Sequence, residues 1–225
     1  MSALIPRIYD RLMSTYGPQG WWPADSSFEM MVGAVLTQAC TWVNAARAIA
    51  ALRSAHALSA ASILALPEQE LARLVRPAGY FNAKARKLKA LASFLMDRFG
   101  GDPEGMSEVP TQRLRQMLLS VHGVGEETAD DILVYAANRP VFVVDAYTRR
   151  IAARLGLARE EASYSELSSL FAGAMPEDAR VLGEFHALLV RHAKQTCRKS
   201  PRCGECTLVD LCPTGTATME AITPG

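Results

Sequence analysis

The sequence predicts an all-α protein, and three observations carry that prediction. Apolar residues recur at helical spacing in nearly every segment, and turn signals separate the segments. The one strong strand-like run, Val141-Phe142-Val143-Val144, is too short and too solitary to seed a sheet. The chain has 225 residues, 49% hydrophobic and 21% charged, which suits a globular protein of one large domain or two small ones.

Helical spacing in chain order predicts helices over roughly 4–15, 27–38, 42–54, 59–65, 68–75, 81–99, 111–119, 126–138, 146–155, 163–174 and 179–195. Thr111 after Pro110 reads as the cap of the 111–119 helix. The run 141–144 reads as a buried extended connector. The stretch beyond Pro213 has no periodicity and is expected to be poorly ordered.

Composition excludes several classes. Lys and Arg (24) nearly cancel Asp and Glu (23), so any nucleic-acid surface must be local. The N-terminal stretch has early charges and lacks the apolar core of a signal peptide, and no apolar run reaches a membrane span. The expected location is cytoplasmic. Four of the five cysteines (Cys197, Cys203, Cys206 and Cys212) crowd one end, while Cys40 stands apart as an expected small buried filler.

Between the 111–119 and 126–138 helices lies Val121-His122-Gly123-Val124-Gly125. Its two glycines permit positive φ and close backbone approach, and Val124 can turn inward to pin the helices. Amides at such a helix start can hold a phosphate without reading base sequence or needing lysine. An ordinary tight αα-turn explains the same glycines. Glu126 and Glu127 follow at once, where acid complements the macrodipole.

Asp145 closes the apolar run and precedes a helix, the place of an N-cap. Amides donated to its carboxylate favour the anion. A fixed anion there can stabilise a sugar cation as a base departs, or orient the water that traps it. The cysteine spacing, C-x5-C-x2-C-x5-C, suits a zinc ion or an iron–sulfur cluster. A single C-x2-C knuckle favours [4Fe–4S] over zinc, with disulfides a distant third. The intervening Arg198, Lys199 and Arg202 become phosphate contacts if a metal centre holds their loop rigid.

Together these residues resemble the helix-hairpin-helix superfamily of base-excision DNA glycosylases, in particular the endonuclease III family. The resemblance covers about residues 20–213. It rests on Leu36-Thr37-Gln38, Gly79-Tyr80-Phe81-Asn82-Ala83-Lys84-Ala85, the Val121–Gly125 turn, Val144-Asp145 and the terminal cysteines. It implies a six-helix domain over 23–138 carrying the hairpin, and a second helical domain from 1–22 and 139–225 with the cysteine loop. Double-stranded DNA holding a damaged base would lie across the cleft between them, with one nucleotide flipped out.

The resemblance also assigns residues. Asp145 matches the family's essential aspartate, and Gln38 the residue that fills the gap left by the flipped base. Tyr80, where leucine is frequent, would be the wedge in the opposite strand, with Phe81 the alternative. Asn82, Lys84, His122, Gly123, Val124 and Gly125 fall among the DNA-contacting positions. Members that nick DNA carry at position 127 a lysine that forms a Schiff base; Glu127 cannot form one. Trp22, Pro23 and Trp42, with an acid at 127, are similar to the 3-methyladenine glycosylase branch, whose aromatic pocket attracts cationic alkylpurines. The expectation is a monofunctional, monomeric glycosylase with a [4Fe–4S] cluster and a downstream AP endonuclease partner. The alternatives are a lyase acting on oxidised pyrimidines through another amine such as Lys84 or Lys194, a non-catalytic DNA-binding module, and a zinc-binding interaction protein.

Overall fold

The computed structural model describes residues 3–222. Twelve α-helices occur among them: α1 (Leu4–Tyr16), α2 (Ser27–Leu36), α3 (Trp42–Ser54), α4 (Ala60–Ala65), α5 (Glu68–Leu74), α6 (Phe81–Phe99), α7 (Thr111–Leu119), α8 (Glu126–Asp131), α9 (Ala146–Arg154), α10 (Tyr164–Ala172), α11 (Ala179–Gln195) and α12 (Pro213–Ile222). None of the described residues forms a strand, and no described helix is long and apolar enough to cross a membrane. The chain divides into two compact units: Trp22–Arg139, and the residues through Trp21 together with those from Pro140 onward.

In the Trp22–Arg139 unit, α2 is buried from Phe28 to Leu36. A helix apolar on every side belongs at a domain's centre, with the others laid around it. Ser26 starts α2 by accepting a hydrogen bond from the Glu29 amide. The Glu29 carboxylate is itself buried and accepts two bonds from Arg53 of α3, at 2.7 and 2.8 Å. Leu88, Leu91 and Leu95 give α6 its inner face, against which α4 and α5 pack.

Thr111 is the first residue of α7 and not its cap, a place Pro110 takes without a side-chain bond. Two of the helices that end ahead of their predicted bounds do so for identifiable reasons. α2 stops at Leu36 because the Thr37 hydroxyl bonds back to the Gly33 and Ala34 carbonyls, leaving Gln38 on a turn. α8 stops at Asp131 and continues as one π-turn, Ile132–Ala136, closed by Ala137 N–H donating to the Ile132 carbonyl at 2.9 Å. The extra residue in that turn re-aims the side chains that follow, which helical spacing cannot foresee.

The second unit is built on α1, α9 and α11. Its core stacks Phe142 on Phe171 (centroids 4.6 Å apart), with Phe185 edge-on to both. The 141–144 run forms no strand, and Phe142, Val143 and Val144 are buried as predicted for a connector. Tyr164 Oη accepts the Val144 amide and Ser168 Oγ donates to the Phe142 carbonyl, so side chains satisfy a backbone without a ladder.

The C-terminal stretch corrects an expectation. Residues from Pro213 form α12, with Pro at the first helical position where its missing N–H costs nothing. The Gly215 amide donates to Cys212 Sγ at 3.3 Å and Thr216 Oγ1 bonds to the Val209 and Cys212 carbonyls. The helix is held by the cysteine loop rather than by an apolar stripe, so periodicity carried no sign of it. Residues 223–225 of that stretch lie outside the described residues.

Candidate active site

The hairpin between α7 and α8 is tight for identifiable reasons. Val121 and Val124 are buried beneath it. Gly123 adopts φ +84°, and a Cβ there would stand 2.3 Å from Cγ of Lys87, whose stem lies across the turn. Gly125 differs. Its φ of −94° suits any residue, and a Cβ there would meet nothing within 4 Å. Only Gly123 uses the conformational freedom expected of both. No side chain caps α8, so its first amides are presented by backbone alone.

The acids near that turn have a cation of their own. Arg115 of α7 bonds Asp130 through two nitrogens, at 2.6 and 3.1 Å, and reaches Glu126 at 3.4 Å. Glu127 and His122 are exposed.

Gln38 is committed to the same turn. Its Nε2 donates to the Gly123 carbonyl at 3.0 Å and to Thr128 Oγ1 at 2.9 Å, while Lys87 Nζ donates to its Oε1. Lys87 thus orders both the turn and the glutamine, a role that sequence spacing did not point to. Tyr80 is 75% exposed in the left-handed conformation (φ 45°, ψ 33°) just before α6, following Gly79 at φ +68°. Phe81 is half-buried and Asn82 exposed.

Lys84 is not where a DNA contact needs it. It is 2% exposed, and its Nζ donates to the Leu36 carbonyl at 2.9 Å and the Ala78 carbonyl at 2.7 Å. Burial pushes its ammonium below the ordinary value against the pull of nearby Cys40. Helical spacing turns Lys84 inward, where it ties the end of α2 to the turn before α6. Cys40 is only half-buried and donates to the Thr41 carbonyl, so it is no core filler.

Trp22 and Trp42 meet edge to face at 5.8 Å. Tyr135, delivered by the π-turn, meets Trp22 at 5.6 Å as a third aromatic that the sequence reading missed. A Cβ at Gly33 would come within 2.9 Å of the Trp22 indole, so glycine on α2 is what lets that ring lie flat. Pro23 is exposed beside it.

In the other unit Asp145 caps α9, with Oδ1 accepting the Thr148 amide at 2.7 Å. Its Oδ2 stands 3.7 Å from Nε2 of buried His186 on α11. Burial alone would raise this carboxyl's pKa. His186 and the Thr148 amide outweigh burial and hold it below the ordinary value. The Trp21 ring lies flat on His186, 5.6 Å between centroids and 4° from parallel. No local spacing in the sequence links His186 to Asp145.

The cysteines converge. Cys197, Cys203, Cys206 and Cys212 line one cavity of about 290 Å³ together with Arg154, Arg202 and Gly215. Burial, and then the other three thiols, push Cys206 up to about 11, although the Leu208 amide lowers it. Arg154 donates to Cys197 Sγ at 3.3 Å and to the Arg198 and Lys199 carbonyls, which fixes the cationic loop. Arg198 and Lys199 are exposed, and Arg202 faces Glu205 at 3.7 Å. Among the described residues no His, Cys, Asp and Glu group is gathered tightly enough to hold a single metal ion. The shared cavity and N–H···S donors nonetheless fit a larger thiolate-bound group.

The profile of the HhH-GPD superfamily base excision DNA repair protein matches residues 32–177. The chain belongs to that superfamily. It is a base excision repair DNA glycosylase, and its endonuclease III-like, all-helical character follows the relatives. A protein of Methanocaldococcus jannaschii named as a DNA repair glycosylase is 43% identical over 93% of this chain and 96% of its own length. Endonuclease III of Bacillus subtilis is 30% identical over 84% of this chain and 81% of that protein. The H. pylori 3-methyladenine DNA glycosylase, solved bound to 1,N6-ethenoadenine, superposes with a TM-score of 0.74 at 29% identity, covering 85% of this glycosylase and 97% of that chain.

Proposed function

We propose that this glycosylase is monofunctional and hydrolyses the bond between deoxyribose and an alkylated purine such as 3-methyladenine, leaving an intact abasic site. The observation that carries the reading is Asp145, a largely enclosed carboxylate whose Oδ1 accepts the Thr148 amide, whose Oδ2 faces His186, and whose pKa these neighbours hold below the ordinary value. As the C1′–N bond breaks and its electrons leave with the base, that anion stabilises the positive sugar and takes up the proton of the incoming water. A cationic base departs readily, so little acid catalysis is needed on its side.

Substrate class rests on the aromatic group of Trp22, Trp42 and Tyr135, whose faces attract a methylated, positively charged ring more than a neutral base. Pro23 and Glu127 complete the proposed pocket, and the similarity to a 3-methyladenine glycosylase supports it. Gln38, Tyr80, Phe81, Asn82, His122, Gly123, Val124 and Gly125 are the proposed contacts to duplex DNA, with Arg198, Lys199 and Arg202 on the loop. Lys84 is left out of that set. Cys197, Cys203, Cys206 and Cys212 would hold a [4Fe–4S] cluster, which supplies no step of the reaction and fixes the loop. The protein acts as a monomer in the cytoplasm, on the nucleoid, and hands its abasic product to an AP endonuclease.

Lyase chemistry requires an amine at the sugar. Glu127 has none, and the Lys84 amine is engaged by two carbonyls. The test is base release from duplexes carrying a panel of alkylated, oxidised and deaminated bases, with borohydride trapping alongside. Wild type should release alkylpurines without a trapped adduct, and Asp145→Asn should be slower by at least about 100-fold. A trapped adduct, or equal release by both proteins, overturns the reading.

A further inference from the structure

We propose that His186 is a positioning residue for the Asp145 carboxylate, held in plane by the ring of Trp21. The inference rests on the catalytic reading of Asp145 and adds the group that orients it. An N-cap bond pins one carboxylate oxygen only, here Oδ1 through the Thr148 amide. Rotation about the bond to the carboxyl carbon remains open until the second oxygen has a partner. Nε2 of His186 stands 3.7 Å from Oδ2, longer than a formed hydrogen bond, and it closes to one with a shift of under about 1 Å. Catalytic contacts of this kind tighten when substrate binds.

The surroundings of His186 are built for that task. It sits within the seventeen-residue α11, which fixes its backbone. It is 4% exposed, so water does not compete for its ring. Trp21 lies parallel to the imidazole, 4° between planes, and thereby sets the ring plane while Nε2 stays on the Asp145 side at 3.7 Å from Oδ2. A carboxylate offers about four lone-pair sites. The Thr148 amide occupies one on Oδ1 and His186, on closing, takes one on Oδ2, which leaves one on each for the sugar and the water. An apolar ring would fill the same space beneath Trp21 without the desolvation that a buried imidazole costs. The Asp145 carboxylate offers the buried imidazole a polar neighbour that packing alone does not require.

Two variants separate positioning from packing. His186→Phe keeps a ring against Trp21 and removes the donor, while His186→Gln restores an N–H donor of similar reach. The probe is a duplex carrying 3-methyladenine, with the release step measured in single turnovers at saturating enzyme and DNA affinity measured separately by anisotropy. His186→Phe should slow release about 100-fold, the loss that an angstrom of misplacement brings, with affinity within about twofold of wild type. His186→Gln should recover about tenfold of that loss. Equal rates for the two variants, or affinity falling in step with rate, would overturn the proposal.

A second measurement needs neither activity nor a stable variant at position 186. Long-range proton–nitrogen correlation spectra of the wild-type protein report which ring nitrogen carries hydrogen. The proposal requires it on Nε2, with a ring signal that moves in Asp145→Asn. The opposite tautomer, or an unmoved signal, refutes it. If wild type releases no base from any lesion, the glycosylase reading of Asp145 fails, and the spectra still decide whether the pair exists.

Discussion

The two hairpin glycines make opposite predictions from the same substitution. Gly123→Ala places a Cβ at φ +84° and 2.3 Å from Lys87 Cγ. Left-handed backbone costs an alanine about 1 kcal/mol or more. The Lys87 stem must also swing away, which removes its charged bond to Gln38, worth about 1.5 kcal/mol. A less flexible unfolded chain offsets about 0.5 kcal/mol. The net loss is about 2–3 kcal/mol, or roughly 5–10 °C in the unfolding midpoint for a chain of this size. Gly125→Ala meets no atom within 4 Å and needs no special φ, so its stability should match or slightly exceed wild type. If the turn holds a phosphate, however, the added methyl stands where DNA backbone approaches. Loss of one such bond, about 1.4 kcal/mol, weakens duplex binding about tenfold. Thermal unfolding and fluorescence anisotropy read the two effects separately. Wild-type affinity in Gly125→Ala would refute phosphate binding at the turn, and a wild-type midpoint in Gly123→Ala would refute the account of its geometry.

Lys84→Met retains the buried stem and strips two carbonyls of their donor, so it should destabilise by about 2–4 kcal/mol. It should leave the salt dependence of DNA binding unchanged, whereas loss of a phosphate contact would lower the slope by about one. If the four cysteines hold the proposed [4Fe–4S] cluster, Arg154→Gln should speed bleaching of its absorbance near ~400 nm under chelator, since Arg154 ties Cys197 to the loop carbonyls; unchanged bleaching would remove it from that role. The Asp145 carboxyl is lowered in the folded chain, so its contribution to stability is complete above the unfolded value of about 3.9 and disappears as pH falls through the folded one. Unfolding free energies of wild type and Asp145→Asn should therefore converge below about pH 4; a constant gap would show that the carboxyl is not held ionised by folding.

Local chemistry was legible from the sequence, and distance was the limit. Asp145 as an N-cap, the buried connector and the helical order all follow from neighbours a few residues apart. His186 against Asp145, and Lys87 across Gly123, join segments far apart in the chain and leave no periodic trace. Tyr135 was hidden for a different reason, because a π-turn breaks the period by which its face would be assigned. Lys84 misled because charge suggests solvent, and only the carbonyls at Leu36 and Ala78 show why an ammonium is buried. α12 escaped detection because sulfur and hydroxyl contacts, rather than apolar burial, hold it.

Helix α9 begins at the Asp145 cap and ends at Arg154, whose guanidinium grips the Cys197 loop. Nine residues make a rod of about 13 Å, too short to bend appreciably. A side chain that frees Arg154 from the Cys197 loop would therefore be felt at the Asp145 end as a change in the tilt of the whole helix, not as a local bend.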